Sequence, residues 1–240
     1  MYNLLFSLAA GLLVALAIRF GTSVGWIGAV VPGLLAAAIA YVALNLKAQK
    51  RLQAAVEGAV AEAQARRFDR AIALAKGAQS MSPWLFGAEA AIAALIGQFH
   101  WWKGDQEAAV PYLEKAARAQ WPARVMLAIA RWKKKDLAGM KTVFEETLKV
   151  RGNKKQGLVW CAYAWFLEKE NRHQEAVSVL GRGVAVNPTD DKLKAALQSV
   201  QNGKRLKIGK LYLEWYNFGV EAPPQMMPPG FRPGKRATYR

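Results

Sequence analysis

Two long apolar runs open the chain, and a short polar break separates them. The first run covers Met1 to Ile18 and the second covers Val24 to Leu46. An α-helix needs about 20 apolar residues to cross the ~30 Å hydrocarbon layer of a bilayer. The second run meets this length and the first comes close to it. The pattern therefore predicts a hairpin of two transmembrane helices over residues 1–46.

Two other interpretations of these runs stay open. The first run could be a signal peptide, although residues 1–3 carry no Lys or Arg and no small-residue cleavage site follows. Both runs could also be buried core helices of a soluble protein. Membrane helices are favoured because two such apolar runs stand side by side at the start of the chain.

The charges next to these runs predict their orientation. Lys47, Lys50 and Arg51 follow the second run, whereas the break between the runs offers only Arg19. Because basic segments stay on the cytoplasmic side of a membrane, we expect a multi-pass protein of a bacterial-type inner membrane with its soluble part facing the cytoplasm. No helix breaker lies between residues 36 and 58, so the second helix can continue into the soluble part without a flexible joint.

Beyond residue 50 the pattern changes to pairs of amphipathic helices. Small residues seven apart, with a proline five positions further on, recur in one frame. The two sets are Ala71, Ala78 and Pro83, and Ala176, Gly183 and Pro188. Residues seven apart lie two turns apart on one stripe of a helix, so a second helix can approach closely there. The proline then ends the helix, and the recurrence predicts a stacked array of helix–turn–helix units.

About four helical hairpins are predicted in this way, followed by an end helix at 191–202. The paired helices are Leu52–Arg66 with Phe68–Pro83, Pro83–Trp102 with Gln106–Gln120, Ala123–Trp132 with Leu137–Val150, and a helix from near Gln156 with His173–Val186. Pro111 falls inside the return helix of the second pair, where it would kink the helix unless it lies in the first turn.

The frame and the unit length resemble the tetratricopeptide repeat, whose units run about 34 residues. Anchored on Ala71, Ala109, Met140 and Ala176, the units here are 38, 31 and 36 residues apart. The fourth unit matches best, and the third departs most, because Met140 and Thr147 stand where small residues are expected.

Together with the two apolar runs and the Pro-rich end of the chain, the resemblance predicts an all-α fold with four parts. These are a transmembrane hairpin at 1–46, a tetratricopeptide-like α-solenoid at 47–202, a capping segment at 203–220, and a disordered Pro-rich tail at 221–240. The layout of two membrane helices before such repeats also resembles the HemY-type membrane proteins.

The resemblance further implies binding rather than chemistry. Tetratricopeptide arrays recognise peptides or partner proteins along the concave face made by the first helix of each unit. On that face the frame places Gln98, Trp101, Trp132, Lys133, Trp165 and Glu168. Large aromatic side chains beside polar groups suit a recognition groove, but the tryptophans could instead pack between units or under the C-terminal segment. The implied function is a membrane-anchored scaffold that assembles or stabilises a membrane-associated complex.

Composition adds a strong positive charge. The chain carries 34 Lys and Arg against 17 Asp and Glu, a net charge of +17. Such a surface favours anionic lipid, nucleic acid or an acidic protein as partner, although surplus Lys also simply keeps a domain soluble. The alternative function is a basic membrane-surface protein that binds anionic lipid or nucleic acid. The Pro-rich, basic tail would be drawn to anionic headgroups.

No catalytic or metal-binding pattern is found. His100 and His173 are the only histidines, and neither has a second His or Cys at a metal-ligand spacing. The single cysteine, Cys161, excludes an internal disulfide and is expected to be packed. No phosphate loop or dinucleotide fingerprint occurs. We therefore predict a protein that is not an enzyme and that holds no cofactor or metal.

Overall fold

The computed structural model describes residues 2–23 and 25–223. These residues form α-helices and two 3₁₀ helices, at Gln79–Trp84 and Leu213–Phe218, with no strand among them. The α-helices are α1 (Tyr2–Gly21), α2 (Trp26–Gln64), α3 (Phe68–Ala78), α4 (Ala88–Lys103), α5 (Gln106–Lys115), α6 (Trp121–Lys133), α7 (Leu137–Lys149), α8 (Arg151–Lys154), α9 (Gly157–Lys169), α10 (His173–Val186), α11 (Asp191–Gln201) and α12 (Ile208–Leu211). The predicted all-α class is confirmed. The predicted Pro-rich tail, apart from its first residues, lies outside the described residues.

Small residues bring α1 and α2 into close contact. A Cβ placed on Gly11 would lie 2.5 Å from the carbonyl oxygen of Gly33, and one placed on Gly33 would lie 2.7 Å from the Cβ of Ala15. Ala29 and Ala37, each four residues from Gly33, are also buried. Small residues at four-residue spacing let two helices pack backbone to backbone, so this seam fixes the hairpin.

Helix α2 is continuous from the apolar run into the repeats. It spans 39 residues, or about 58 Å at a rise of 1.5 Å per residue. Its first part packs on α1 and its last part on α3. The predicted boundary between residues 46 and 47 therefore falls inside one uninterrupted helix.

The remaining helices form hairpins that pack side by side. α2 packs on α3, α4 on α5, α6 on α7 and α9 on α10, while α3–α4, α5–α6 and α7–α9 contacts join successive hairpins. The N-terminal caps are Asp105, Asp136 and Asp190, whose carboxylates accept hydrogen bonds from the backbone N–H groups of α5, α7 and α11. These caps satisfy donors that a helix leaves free at its start.

One turn geometry recurs in all four predicted units. In each, a residue with positive φ stands two positions before the second helix of the hairpin. These residues are Arg66 (φ 59°), Gly104 (96°), Lys135 (63°) and Asn171 (58°). Their spacings equal those of the sequence anchors Ala71, Ala109, Met140 and Ala176, all of which are fully buried. The structure therefore reproduces the predicted frame of the units.

Three predicted helix bounds are wrong. The helix of the opening motif ends at Ala78 rather than near Pro83, because the chain tightens into a 3₁₀ helix that contains the proline. α4 accordingly begins at Ala88, after Gly87 with φ 75°. α5 ends at Lys115 rather than Gln120, four residues after Pro111, whose ring and missing N–H weaken a helix interior.

Candidate functional site

The first helices of units two to four lie next to one another and form one face. α6 contacts both α4 and α9, so these three helices are adjacent, and we call their shared surface the first-helix face. The chain returns to this face after α11. Residues 204–220, here named the C-terminal segment, lie against it and fill its middle.

Tryptophan side chains hold the C-terminal segment on the first-helix face. The indole Nε1 of Trp101 donates a hydrogen bond to the carbonyl oxygen of Phe218 at 3.0 Å, and Trp102 donates likewise to Asn217 at 3.0 Å. The ring of Trp215 meets that of Trp165 edge to face, with centroids 5.5 Å apart. Trp215 is fully buried, so the segment packs as part of the core.

A second anchor lies near the middle of the segment, at Tyr212. The hydroxyl of Tyr212 donates to Oδ2 of Asp190 at 2.9 Å, while the other oxygen of Asp190 caps α11. Gly157 leaves room for this contact, because a Cβ there would lie 2.1 Å from the Tyr212 hydroxyl. Burial raises the pKa of the Tyr212 phenol well above its usual range, so it stays a hydrogen-bond donor at any physiological pH.

The structure brings the six predicted groove residues onto this face but uses most of them internally. Trp101 and Trp165 are buried under the C-terminal segment, which is the alternative left open by the sequence. Trp132 is half-buried and donates to Glu170 at 2.7 Å. Lys133 lies over the Trp101 ring at 5.5 Å. Their role in partner binding stays a prediction.

Two cavities flank the C-terminal segment. The larger, of about 640 Å³, is here named the groove cavity. Its walls include Val60, Ala63, Phe68, Gln98, Trp101, Trp102, Gln106, Tyr216 and Asn217. The smaller, of about 330 Å³, lies at the other end and is lined by Trp165, Glu168, Lys169 and residues 203–206. Gln98 and Glu168 therefore reach cavities, and they lie at opposite ends of the segment.

Ion pairs tie the hairpins together on their second helices. Arg182 of α10 donates two hydrogen bonds, at 2.9 and 2.8 Å, to the carboxylate of Glu145 on α7. Lys141 of α7 pairs with Glu175 of α10. The hydrogen bonds from Arg182 hold the pKa of Glu145 below its usual range. These pairs fix the spacing of units three and four, and hence the shape of the first-helix face.

The described residues offer little chemistry. No group of three or more His, Cys, Asp or Glu side chains that could hold a metal ion is found among residues 2–23 and 25–223. Cys161 is buried, and burial raises the pKa of its thiol, so little of it is a reactive thiolate. His173 pairs with Glu168 at 2.8 Å.

A family model matches one of the helical hairpins. The tetratricopeptide repeat model matches residues 90–120, which cover most of α4 and all of α5 and thus the hairpin of unit two. The protein contains a tetratricopeptide repeat. Such repeats act in protein–protein interaction, which points to an adaptor and to a non-enzymatic scaffold. The match falls on unit two rather than on unit four, and it does not test the HemY-type layout.

No curated protein and no solved structure matches the chain. The tetratricopeptide repeat and the geometry of the first-helix face are therefore the features that indicate a function.

Two sets of functional residues escaped the sequence reasoning. The seam of Gly11, Ala15 and Gly33 was visible as small residues at four-residue spacing in both apolar runs. The contacts of Trp102 and Trp215 left no pattern in the sequence that could predict them. Trp102 bonds to Asn217, more than a hundred positions away, and the contact of Trp215 with Trp165 depends on the path of the C-terminal segment.

Proposed function

We propose that this protein is a membrane-anchored adaptor that holds a partner protein through its tetratricopeptide repeats, in the assembly or stabilisation of a membrane-associated complex. The observation that carries the proposal is the continuity of α2, whose first part is an exposed apolar helix and whose last part belongs to unit one. One helix thus serves both the anchor and the binding array.

Exposure of the apolar helices supports the membrane anchor. α1 and α2 are both long and apolar enough to cross a membrane, yet only 11% and 17% of their most apolar windows are buried in the protein. Leu5, Leu13 and Ile27 are among the large side chains that stay exposed. Core helices of a soluble protein would be mostly buried. The exposed apolar surface of α1 and α2 is instead expected to lie in the hydrocarbon layer of a bilayer.

The charge distribution supports a cytoplasmic array. Lys47, Lys50 and Arg51 lie just past the apolar part of α2, while Arg19 is the basic residue near the opposite end of the hairpin. By the positive-inside rule, this distribution favours the cytoplasmic side of a bacterial-type inner membrane for the repeats. An alkaline phosphatase fusion at residue 240 tests this, and an active fusion would reverse the topology.

The partner binds at the two ends of the C-terminal segment in this proposal. The groove cavity is lined by the aromatic rings of Trp101 and Trp102 and by Gln98, whose amide can hydrogen-bond a peptide backbone while the rings receive an apolar side chain. Glu168 and Trp165 offer a smaller second pocket. Trp132 and Lys133 lie between these two ends along the first-helix face.

Site-specific cross-linking from native-host membranes tests the partner role. A photoreactive amino acid at Gln98 is expected to capture a defined protein, whereas the same group at Lys149, an exposed position on α7, is expected to capture none of it. Capture at both positions, or at neither, would argue against a binding site in the groove cavity. Carbonate extraction of membranes tests the anchor independently, since an integral protein stays in the pellet.

A second candidate function rests on one basic cavity. Lys204, Arg205, Lys207 and Lys210 line a space of about 480 Å³ together with Leu206 and Leu211. We infer from this cluster an alternative role in binding anionic lipid or nucleic acid. Binding to acidic liposomes or DNA should then fall steeply with salt, and absence of binding at low salt would eliminate the role.

A further inference from the structure

We propose that a phospholipid headgroup binds in a cavity at the membrane end of the helical hairpin, held by Asn3, Lys47 and Arg51. The lipid is one whose headgroup carries both a phosphate and a hydrogen-bond donor, such as phosphatidylglycerol or phosphatidylethanolamine. The inference rests on the membrane anchor proposed above, and its site is separate from the first-helix face and from the basic C-terminal cavity.

The cavity lies where three elements meet. It has a volume of about 240 Å³ and is bounded by the start of α1, the middle of α2 and the 3₁₀ helix Gln79–Trp84. Its apolar walls are Leu44, Ala48, Met81 and Trp84, and its polar groups are Asn3, Lys47 and Arg51. A neighbouring cavity of about 210 Å³ shares Asn3 and Trp84 with it. Here the apolar part of α2 gives way to charge, which is the level of lipid headgroups in a bilayer.

Asn3 supplies the observation that points to a ligand. Its side chain is 2% exposed, and its Nδ2 donates to the carbonyl oxygen of Trp84 at 2.9 Å. Its Oδ1 has no hydrogen-bond partner within the part of the chain that the structure describes. Buried acceptors in proteins are nearly always paired, and Asn3 is among the residues that line both cavities. A donor from outside the chain is therefore expected to meet it.

Lys47 and Arg51 supply the complementary charge. They are four residues apart on α2, so both side chains lie on one face of the helix and both line the cavity. Neither makes an ion pair with any other residue in the ranges 2–23 and 25–223. Two such cations suit a phosphate, which accepts charge-assisted hydrogen bonds from Lys and Arg.

The pairing of these groups selects the headgroup. A phosphate alone satisfies the cations but gives no hydrogen to Asn3. The glycerol hydroxyls of phosphatidylglycerol and the ammonium of phosphatidylethanolamine can donate a hydrogen bond to Asn3, whereas the choline of phosphatidylcholine has no N–H or O–H to donate.

Aromatic side chains hold the cavity in place at this level. The ring of Trp84 packs against Tyr2 and Phe6 of α1, with centroids 5.4 and 5.8 Å apart. Aromatic rings of this kind favour the membrane interface. The outer surface of α1 beside them, with Leu4 and Leu5 exposed, offers a track for the acyl chains.

Native mass spectrometry of the full-length protein in mild detergent tests the inference. With equal amounts of phosphatidylglycerol, phosphatidylethanolamine and phosphatidylcholine, the first two are expected to stay bound and the third is not. Lys47→Gln and Arg51→Gln are each expected to lower bound phosphatidylglycerol about fivefold, the effect of one cation at a lipid surface. Asn3→Leu should remove the preference for phosphatidylethanolamine over phosphatidylcholine, because these two lipids carry the same net charge and differ in the hydrogen-bond donor that Asn3 would meet.

Lys50→Gln is the matched control, because it removes the same charge from the same turn of α2 without lining the cavity. An equal loss with Lys50→Gln, or equal retention of all three lipids, would overturn the inference. Glycerol phosphate forms a separate arm, and binding of it as tight as that of the lipid would reassign the site to a soluble phosphate ester. Circular dichroism checks that each variant is folded. If the protein instead leaves the membrane in carbonate, the anchor itself fails, which is a different outcome.

Discussion

The indole Nε1 of Trp101 donates a hydrogen bond to the carbonyl oxygen of Phe218 at 3.0 Å, across 117 positions of sequence. This bond joins the first helix of unit two to the end of the C-terminal segment. Trp101 is one of the residues that the tetratricopeptide frame assigns to partner recognition. In this protein it already has a partner in its own chain, so binding to the middle of the first-helix face would compete with the C-terminal segment.

Trp215 is expected to be a main source of stability for the C-terminal segment. It is fully buried and contacts the rings of Trp165, Phe166 and Phe218. Trp215→Ala should lower the free energy of unfolding by about 3–5 kcal/mol, the usual cost of removing a buried aromatic side chain. Urea unfolding monitored by circular dichroism measures the change.

The control for Trp215 lies in the same segment. Leu213 is 75% exposed, so Leu213→Ala should change stability by no more than about 0.5 kcal/mol. A similar loss for both variants would mean that the segment does not pack as the structure shows.

The seam between α1 and α2 is expected to depend on glycine. In Gly11→Leu the new side chain would meet the backbone of Gly33, since a Cβ alone would lie 2.5 Å from the carbonyl oxygen. The hairpin should open, and the thermal unfolding midpoint in detergent should fall. Gly21→Leu is the matched change on the same helix, because nothing lies within 4 Å of a Cβ at Gly21. Its midpoint should stay unchanged, and equal effects would contradict the seam.

Replacing the turn residue Lys135 by glycine is expected to stabilise the fold. Its φ of 63° is left-handed, a region that costs a non-glycine residue roughly 1–2 kcal/mol. Lys135→Gly should therefore raise the free energy of unfolding by up to about 1 kcal/mol after the entropy cost of glycine. Lys134→Gly, at φ −80°, should lower it instead. The same sign for both variants would refute the turn geometry.

Acid is expected to loosen the contact between α7 and α10. The hydrogen bonds from Arg182 hold the pKa of the Glu145 carboxyl below its usual range. A carboxyl whose pKa is lower in the folded state stabilises the fold above its unfolded pKa, and this stabilisation is lost as the pH falls through the folded value. Arg182→Gln should therefore reduce the drop in stability between pH 7 and acid pH. Both side chains are partly exposed, so the effect is expected to be modest.

Unfolding followed at both pH values checks this prediction, with Arg151→Gln as control. Arg151 is exposed, and it makes no ion pair within residues 2–23 and 25–223. If the wild-type protein and Arg182→Gln lose stability in parallel, the pair contributes nothing to the pH dependence.

Local pattern was enough to predict the helices and the frame of the units. The spacing of Ala71, Ala109, Met140 and Ala176 predicted the four hairpins, because a buried small or apolar residue is needed wherever two helices approach. Even Met140, an unusual residue for its place, is fully buried. The stop signals were less reliable. Pro83 lies in a 3₁₀ helix between two α-helices instead of at the start of one.

The path of the C-terminal segment could not be read from its residues. The sequence predicts that residues 203–220 cap the exposed end of the array, although aromatic and basic side chains also suit a membrane interface or stacking on bases. The segment packs across three helices, on Trp101 of α4, Trp121 of α6 and Trp165 of α9. These contacts depend on the stacking of three units. The role of Asn3 could not be predicted for the same reason, since its hydrogen-bond partner Trp84 is 81 positions away.

Because α2 has no joint between its apolar part and unit one, whatever the adaptor holds would stand at a set height above the bilayer and face a set direction. A binding domain on a flexible linker can reach ligands at many distances from the membrane. A domain on a rigid helix can bind only ligands that are themselves held at the same distance from the membrane. Residues inserted into α2 would lengthen the helix and rotate the repeats about its axis. Such an insertion would therefore change which ligands can bind, although every contact in the groove cavity would stay the same.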